Sequence, residues 1–144
     1  KNYMYSENEL GLEDIVYQLL KMRNLTISIC ENITKGEIVA SLLKNVDFNQ
    51  FLRKSEIHFF ENIDNNLLHQ YSLKLLQESE SDIVIVTNGQ IGEGKLNFVF
   101  CIADKKQVHF YKCNFTLTDE VDSMAKNTLL FHLVKKLRQN NFSF

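Results

Sequence analysis

The chain is expected to form an α/β fold, a three-layer α/β/α sandwich with a mixed, mostly parallel five-stranded sheet. Three observations predict it. Apolar runs rich in β-branched residues alternate with segments whose apolar residues repeat at helical spacing, which argues for strands joined by helical crossovers. Two further strands separated by a short polar turn then read as an antiparallel hairpin. The 144 residues, 44% of them hydrophobic, suit one domain with a substantial core.

Residues 1–9 are polar, with only Tyr3, Met4 and Tyr5 as anchors, and read as a linker or tail ahead of a domain over 10–144. Leu12, Ile15, Val16, Leu19 and Leu20 make one helical stripe, with Glu13 and Asp14 in the first turn and Lys21 and Arg23 in the last. Leu25–Cys30 is a short buried strand. A polar turn, Glu31–Gly36, follows, and Ile38, Val39, Leu42 and Leu43 then fall at helical spacing. A strand that turns straight into a helix aims N–H groups at one point, which suits an anion or a developing oxyanion. Asn32 is also a good helix cap.

Residues 46–51 read as a loop with two aromatic anchors, and Ser55–Phe60 as a second strand. Asp64–Glu78 follows as a helix, with Leu67, Leu68, Tyr71, Leu75 and Leu76 on one side. Asp82–Thr87 is a continuous apolar run of the kind covered on both faces. Asn88–Lys95 reads as a glycine-rich connection. Leu96–Ala103 and Gln107–Phe115 are the hairpin strands. Thr118 is a candidate N-cap for a last helix on which Val121, Ala125, Leu129, Leu133 and Leu137 repeat at four-residue steps.

Composition excludes several classes. The net charge of −2 does not advertise nucleic acid or an anionic membrane as a partner. The longest apolar run, Phe98–Ala103, is far too short to span a bilayer. Cys30, Cys101 and Cys113 lack zinc or disulfide spacing and read as small buried residues in a reducing, cytoplasmic setting. No metal or cofactor is expected. The run from Gly89 to Leu96 approaches a phosphate-binding loop. Leu96, however, replaces the magnesium-holding hydroxyl, and a strand rather than a helix follows. His58, His69, His109 and His132 are scattered. Lys135, Lys136 and Arg138 fit a helix C-terminus.

The stretch TISICENITKGEIVASLL resembles the signature of the CinA C-terminal domain, the competence/damage-inducible family that includes nicotinamide-nucleotide amidases. That signature reads roughly Leu-Ala-Glu-Ser-Cys-Thr-Gly-Gly before an apolar helix, and Glu31, Thr34 and Gly36 match it in place. SDIVIVTNG, FVFCIAD and the final helix keep the family's order, so the resemblance runs from about Leu12 to Leu137. It implies deamidation of nicotinamide mononucleotide by the signature Ser, with a Lys and a Tyr nearby. It further implies a pocket formed by Glu31, Asn32, Thr34, Lys35, Gly36, Thr87, Asn88 and Gly89, with a pyridine nucleotide as ligand. An upstream CinA N-terminal domain in the same chain and a homo-oligomer are also expected.

The chemistry departs from the pattern. The nucleophile position is Asn32, Ile33 replaces Cys, and Lys35 stands at the first Gly. If Phe59 aligns with the family's Tyr, Asp64 falls at its Lys; otherwise that stretch is deleted. A domain without amidase activity, structural or ligand-binding, is therefore expected. The alternative is a divergent amidase using Thr34, or a water activated by Glu31 or Asp64.

Overall fold

A computed structural model describes residues 11–60 and 64–139. The elements are α1 (Leu12–Arg23), β1 (Ile27–Glu31), α2 (Glu37–Leu42), a 3-10 turn at Val46–Gln50, β2 (Leu52–Ile57), α3 (Asn65–Ser79), β3 (Ile83–Gly92), β4 (Lys95–Ala103), β5 (Val108–Thr116) and α4 (Val121–Leu137). The expected tail at 1–9 lies outside the described residues.

The five strands lie in the order β2-β1-β3-β4-β5. β1 pairs in parallel with both β2 and β3, and β4 runs antiparallel to both β3 and β5. Only β4 is therefore reversed, which is the mixed, mostly parallel sheet expected. Strand periodicity sorts the side chains into two cores. Ile27, Ile29, Ile83, Ile85, Phe98, Phe100 and Ile102 share one buried cluster with Val16 and Leu20 of α1, Ile38 and Leu42 of α2, and Leu129 and Leu133 of α4. Cys30, Val84, Val86, Cys101 and Ala103 pack on the other side with Leu68, Leu75 and Leu76 of α3. This gives three layers, with three helices on one face and α3 on the other.

Four sequence expectations shift. The second strand is Leu52–Ile57, not Ser55–Phe60. It lies at the sheet edge, where Arg53 and Lys54 are exposed, so it needs no apolar run. The loop at 46–51 contains a 3-10 turn that buries Phe48 completely. Asn88–Lys95 is no loop, because β3 continues to Gly92 opposite β4. Only Glu93 and Gly94 turn the chain, both at positive φ (54° and 73°), as a two-residue hairpin requires. Thr118 accepts from the N–H of Glu120 just ahead of α4, and Glu120, not Thr118, is the residue at the cap.

The β4–β5 turn holds a buried ion pair. The Lys136 ammonium lies 2.8 Å from Asp104 Oδ2, with both side chains almost wholly enclosed. Asp104 Oδ1 also accepts from the N–H groups of Lys106 (2.7 Å) and Gln107 (3.0 Å). Burial pushes the Asp104 carboxyl up, but the Lys136 ammonium and the two turn N–H groups outweigh it and hold the carboxyl below its ordinary value. The folded carboxyl thus ionises at lower pH than the unfolded one. Its stabilisation is complete above the unfolded value of about 3.9 and is lost as pH falls through the folded value. Asp104→Asn strands a buried ammonium and is expected to cost about 3–5 kcal/mol in urea unfolding at pH 7. The gap between variant and wild type should narrow as the pH is lowered below that range.

Candidate functional site

The order β2-β1-β3 makes the C-terminal end of β1 a switch point. The chain leaves β1 through α2 toward β2 on one side, while β3 flanks it on the other. Open α/β sheets present their ligand crevices at such points. The turn from Glu31 to Gly36 sits there, and Glu31, Asn32 and Thr34 are 1%, 2% and 1% exposed.

Glu31 caps α2 from a distance. Its Oε1 accepts from the backbone N–H of Ile38 (3.1 Å) and the Thr34 hydroxyl (2.5 Å), and its Oε2 accepts from the N–H of Val39 (3.0 Å). The residue at the cap position, Gly36, has no side chain to offer, so the carboxylate from the strand satisfies donors that helix geometry leaves open. The N–H groups that could have faced an oxyanion are therefore already bonded to a carboxylate. Gly36 (φ 89°) and Lys35 (φ 58°) are consecutive left-handed residues, so Lys35 adopts a backbone conformation that favours glycine. Its side chain is exposed.

Asn32 turns away from α2 and ties the turn to β3. Its backbone N–H donates to Thr87 Oγ1 (3.2 Å), and its Nδ2 donates to Asn88 Oδ1 (3.1 Å). Its Oδ1 accepts from the N–H of Gly89 (3.1 Å), from the Thr87 hydroxyl (3.3 Å) and from the adjacent N–H of Ile33 (2.6 Å). The helix-cap role expected for Asn32 thus belongs to Glu31. Six of the eight predicted residues meet in these two networks, while Lys35 and Gly36 shape the turn.

The sequence marks Ile33 only as a departure from the family's Cys, with no contact assigned to it. A Cβ on Gly89 would stand 2.4 Å from Ile33 Cγ2, so the isoleucine lies directly on the β3 backbone. No pattern signals that contact, because it depends on how two distant segments meet.

Asp64 accepts from the N–H of Leu67 (2.9 Å) and caps α3, and Phe59 is exposed. Beyond Asn88 the α3 face of the sheet opens into a cavity of about 380 Å³ lined by Asn65, Asn88, Gln90, Asn97, Val99 and Lys112. Four of its lining side chains are amides, Asn88 among them, and one is a cation.

Behind the turn, on the same face, Tyr71 donates to Glu56 Oε1, and the Cys30 thiol lies 3.9 Å from the Tyr71 hydroxyl. Burial pushes the Cys30 thiol up to about 12, with the Glu56 charge adding to the effect and the Tyr71 hydroxyl opposing it. Such a thiol is inert as a nucleophile at neutral pH. Among the described residues no group of three or more His, Cys, Asp or Glu is placed to hold a metal, and no helix is long and apolar enough to cross a membrane.

The class defined by these features is a three-layer α/β/α domain with a strand–turn–helix site at the switch point of its sheet. No family profile matches the sequence. A CinA-like protein of Dictyoglomus thermophilum is 38% identical over 58 residues, 40% of this chain and 14% of that protein's length. The CinA superfamily protein of Klebsiella pneumoniae 700603 superposes with a TM-score of 0.76 at 18% identity, covering 89% of this chain and 98% of that one. The competence or damage-inducible protein of Enterobacter asburiae gives 0.77 at 13% identity over 89% and 99% of the two chains. An Escherichia coli member of the superfamily gives 0.71 at 16% over 94% and 95%. The chain has the CinA fold, and a 58-residue stretch of it is similar in sequence to a CinA-like protein.

Two substitutions test the geometry. Glu31→Ala leaves two buried helix N–H groups unanswered and is expected to cost about 2–4 kcal/mol in chemical unfolding. Gly89→Ala overpacks against Ile33 and is expected to cost about 1–3 kcal/mol. Combining it with Ile33→Ala should cost roughly 1 kcal/mol less than the sum of the single changes, which a double-mutant cycle reads directly.

Proposed function

We propose that this chain is a CinA-like domain that does not perform the serine-dependent deamidation of its relatives and serves as a structural or ligand-binding domain. The observation that carries the reading is Asn32. At the position where the family resemblance puts the attacking serine, an amide stands instead. Its polar atoms are engaged by Thr87, Asn88, Gly89 and Ile33, and it is 2% exposed. An amide offers no acyl-accepting hydroxyl, and the N–H donors of the following helix are bonded to Glu31. Asp64, at the position of the family's Lys on one alignment, caps a helix and carries the opposite charge.

The amide-lined cavity beyond Asn88 supports retained ligand binding. Side-chain amides offer donors and acceptors together, and Lys112 adds one positive charge. A ligand with several hydroxyl groups and one anionic group, such as a pyridine mononucleotide, fits that lining. An upstream CinA N-terminal domain and a homo-oligomer belong to the same reading.

One contact favours a divergent amidase. The Thr34 hydroxyl donates to the Glu31 carboxylate at 2.5 Å, the pairing a nucleophile and base would need. Both groups are enclosed, however, and the carboxylate also serves the helix.

Incubation with nicotinamide mononucleotide separates the readings. No ammonia above the buffer control is expected, while calorimetry with the same nucleotide should detect binding that Lys112→Gln weakens. Turnover that disappears in Thr34→Ala would establish the divergent amidase instead.

A further inference from the structure

The β5 edge of the sheet carries a second cavity. It encloses about 210 Å³ and is lined by His109 and Tyr111 of β5 and by His132, Lys135, Lys136 and Gln139 on and just after α4. That is far more than the roughly 10–15 Å³ needed for one water. Every charged group that the lining contributes can be a cation. Lys136 brings Asp104, its ion-pair partner, to the edge of the cavity. Arg23, at the end of α1, donates to the carbonyl of Gln139 at 3.1 Å and so stands at the rim. Among the described residues, Lys135, Lys136, Arg23 and two imidazoles thus gather beside the Asp104 carboxylate, in a chain whose net charge is −2.

The platform beneath the cavity is ordered. The Tyr111 ring stacks on Phe100 at 4.9 Å and meets the His132 ring at 4.3 Å. Burial, with the Lys135 charge adding to it, lowers the His132 pKa, so its imidazole is mostly neutral at pH 7 and can gain a proton when an anion arrives. Lys135 lies over the Phe131 ring at 5.6 Å, a weak hold that leaves its ammonium able to reach inward. Helix-dipole complementarity accounts for Lys135 and Lys136 at the end of α4, but not for the His109 and Tyr111 that β5 sets against them.

We propose that this cavity is a binding site for a small phosphate monoester. His109, His132 and Lys135 would donate to the phosphate oxygens, and the Tyr111–His132 platform would take the organic portion. The convergence of several N–H donors from two elements suits a tetrahedral polyanion, whose charge-assisted bonds are the strong ones. The proposal is independent of the turn at Glu31–Gly36, since the cavity lies against β5 at the sheet edge, with β3 and β4 between it and β1.

The test is a titration of the purified chain at low ionic strength, following the histidine ring signals by NMR. The probes are inorganic phosphate and ribose 5-phosphate, with chloride at matched ionic strength as control. Saturable shifts of His109 and His132 in the low-millimolar range are expected, with the ester binding at least as tightly as the inorganic ion. Lys135→Gln, at an exposed position, should weaken both about tenfold, the loss of one charge-assisted contact. Sulfate, which stays a dianion, should bind more tightly as pH falls from about 8 to 6 and His132 takes up a proton. The groups facing it are Lys135 and Lys136 of α4, His109 and Tyr111 of β5, Asp104 at the end of β4, and Arg23 at the end of α1. Shifts that chloride reproduces, that fail to saturate, or that Lys135→Gln leaves unchanged would overturn the site. Tenfold tighter binding of inorganic phosphate than of the ester would overturn the ligand class. A sulfate affinity independent of pH would remove His132 from it.

Discussion

The end of the sheet where β1 turns into α2 depends on the Glu31 carboxylate. The helix is only six residues long and starts from a glycine, so it has neither the length nor the side-chain cap to stabilise itself. The carboxylate supplies what is missing, accepting from Ile38 and Val39 while holding the Thr34 hydroxyl. That fixes the angle at which the helix leaves the strand. Ile38 and Leu42 can then join the core shared with α1 and α4.

The same arrangement limits the chemistry. A helix N-terminus stabilises an incoming anion only if its N–H groups are available. Here an internal anion occupies two of them. Asn32 has a parallel effect on the β3 side, where its amide bonds bridge the turn to Thr87, Asn88 and Gly89. Ile33 lies against the Gly89 backbone. Together these contacts fill the switch point with the protein's own groups. What remains open lies to the side, where Asn88 borders the amide-lined cavity.

The layers and their order were legible because alternation of apolar periods reports burial directly. Val84 and Val86 face α3, while Ile83 and Ile85 face the other helices, and a run apolar at every position implies both. Edge strand β2 was misplaced because Arg53 and Lys54 are tolerated at an edge, where no second face must be covered. The β3 extension was hidden because Gly89 and Gly92 look like loop residues. One of them is instead required by contact with Ile33. At the turn, Glu31, Thr34 and Gly36 could be picked out by the pattern they share with CinA proteins, but their bonding could not. A carboxylate seven and eight residues before the helix N–H groups that donate to it leaves no local signature. Lys35 shows the backbone outlasting the residue type that favours it, since it holds φ 58° beside Gly36 at φ 89°.

The turn after β1 and the cavity against β5 therefore differ in kind. At the turn, charge is neutralised internally: the Glu31 carboxylate is enclosed by backbone donors and the neighbouring side chains are amides and hydroxyls. Against β5, the enclosed Asp104–Lys136 pair lies beside Lys135, Arg23 and two imidazoles, and among the described residues cations outnumber carboxylates around the open volume. A buried pair of this kind costs desolvation that its own attraction does not reliably offset. Asp104 is needed there twice over, because it also bonds the N–H groups of the β4–β5 turn. That second duty engages Oδ1, while Oδ2 holds Lys136. Lys135 and the imidazoles of His109 and His132 line the open volume beside the pair, where an anion from outside can meet them.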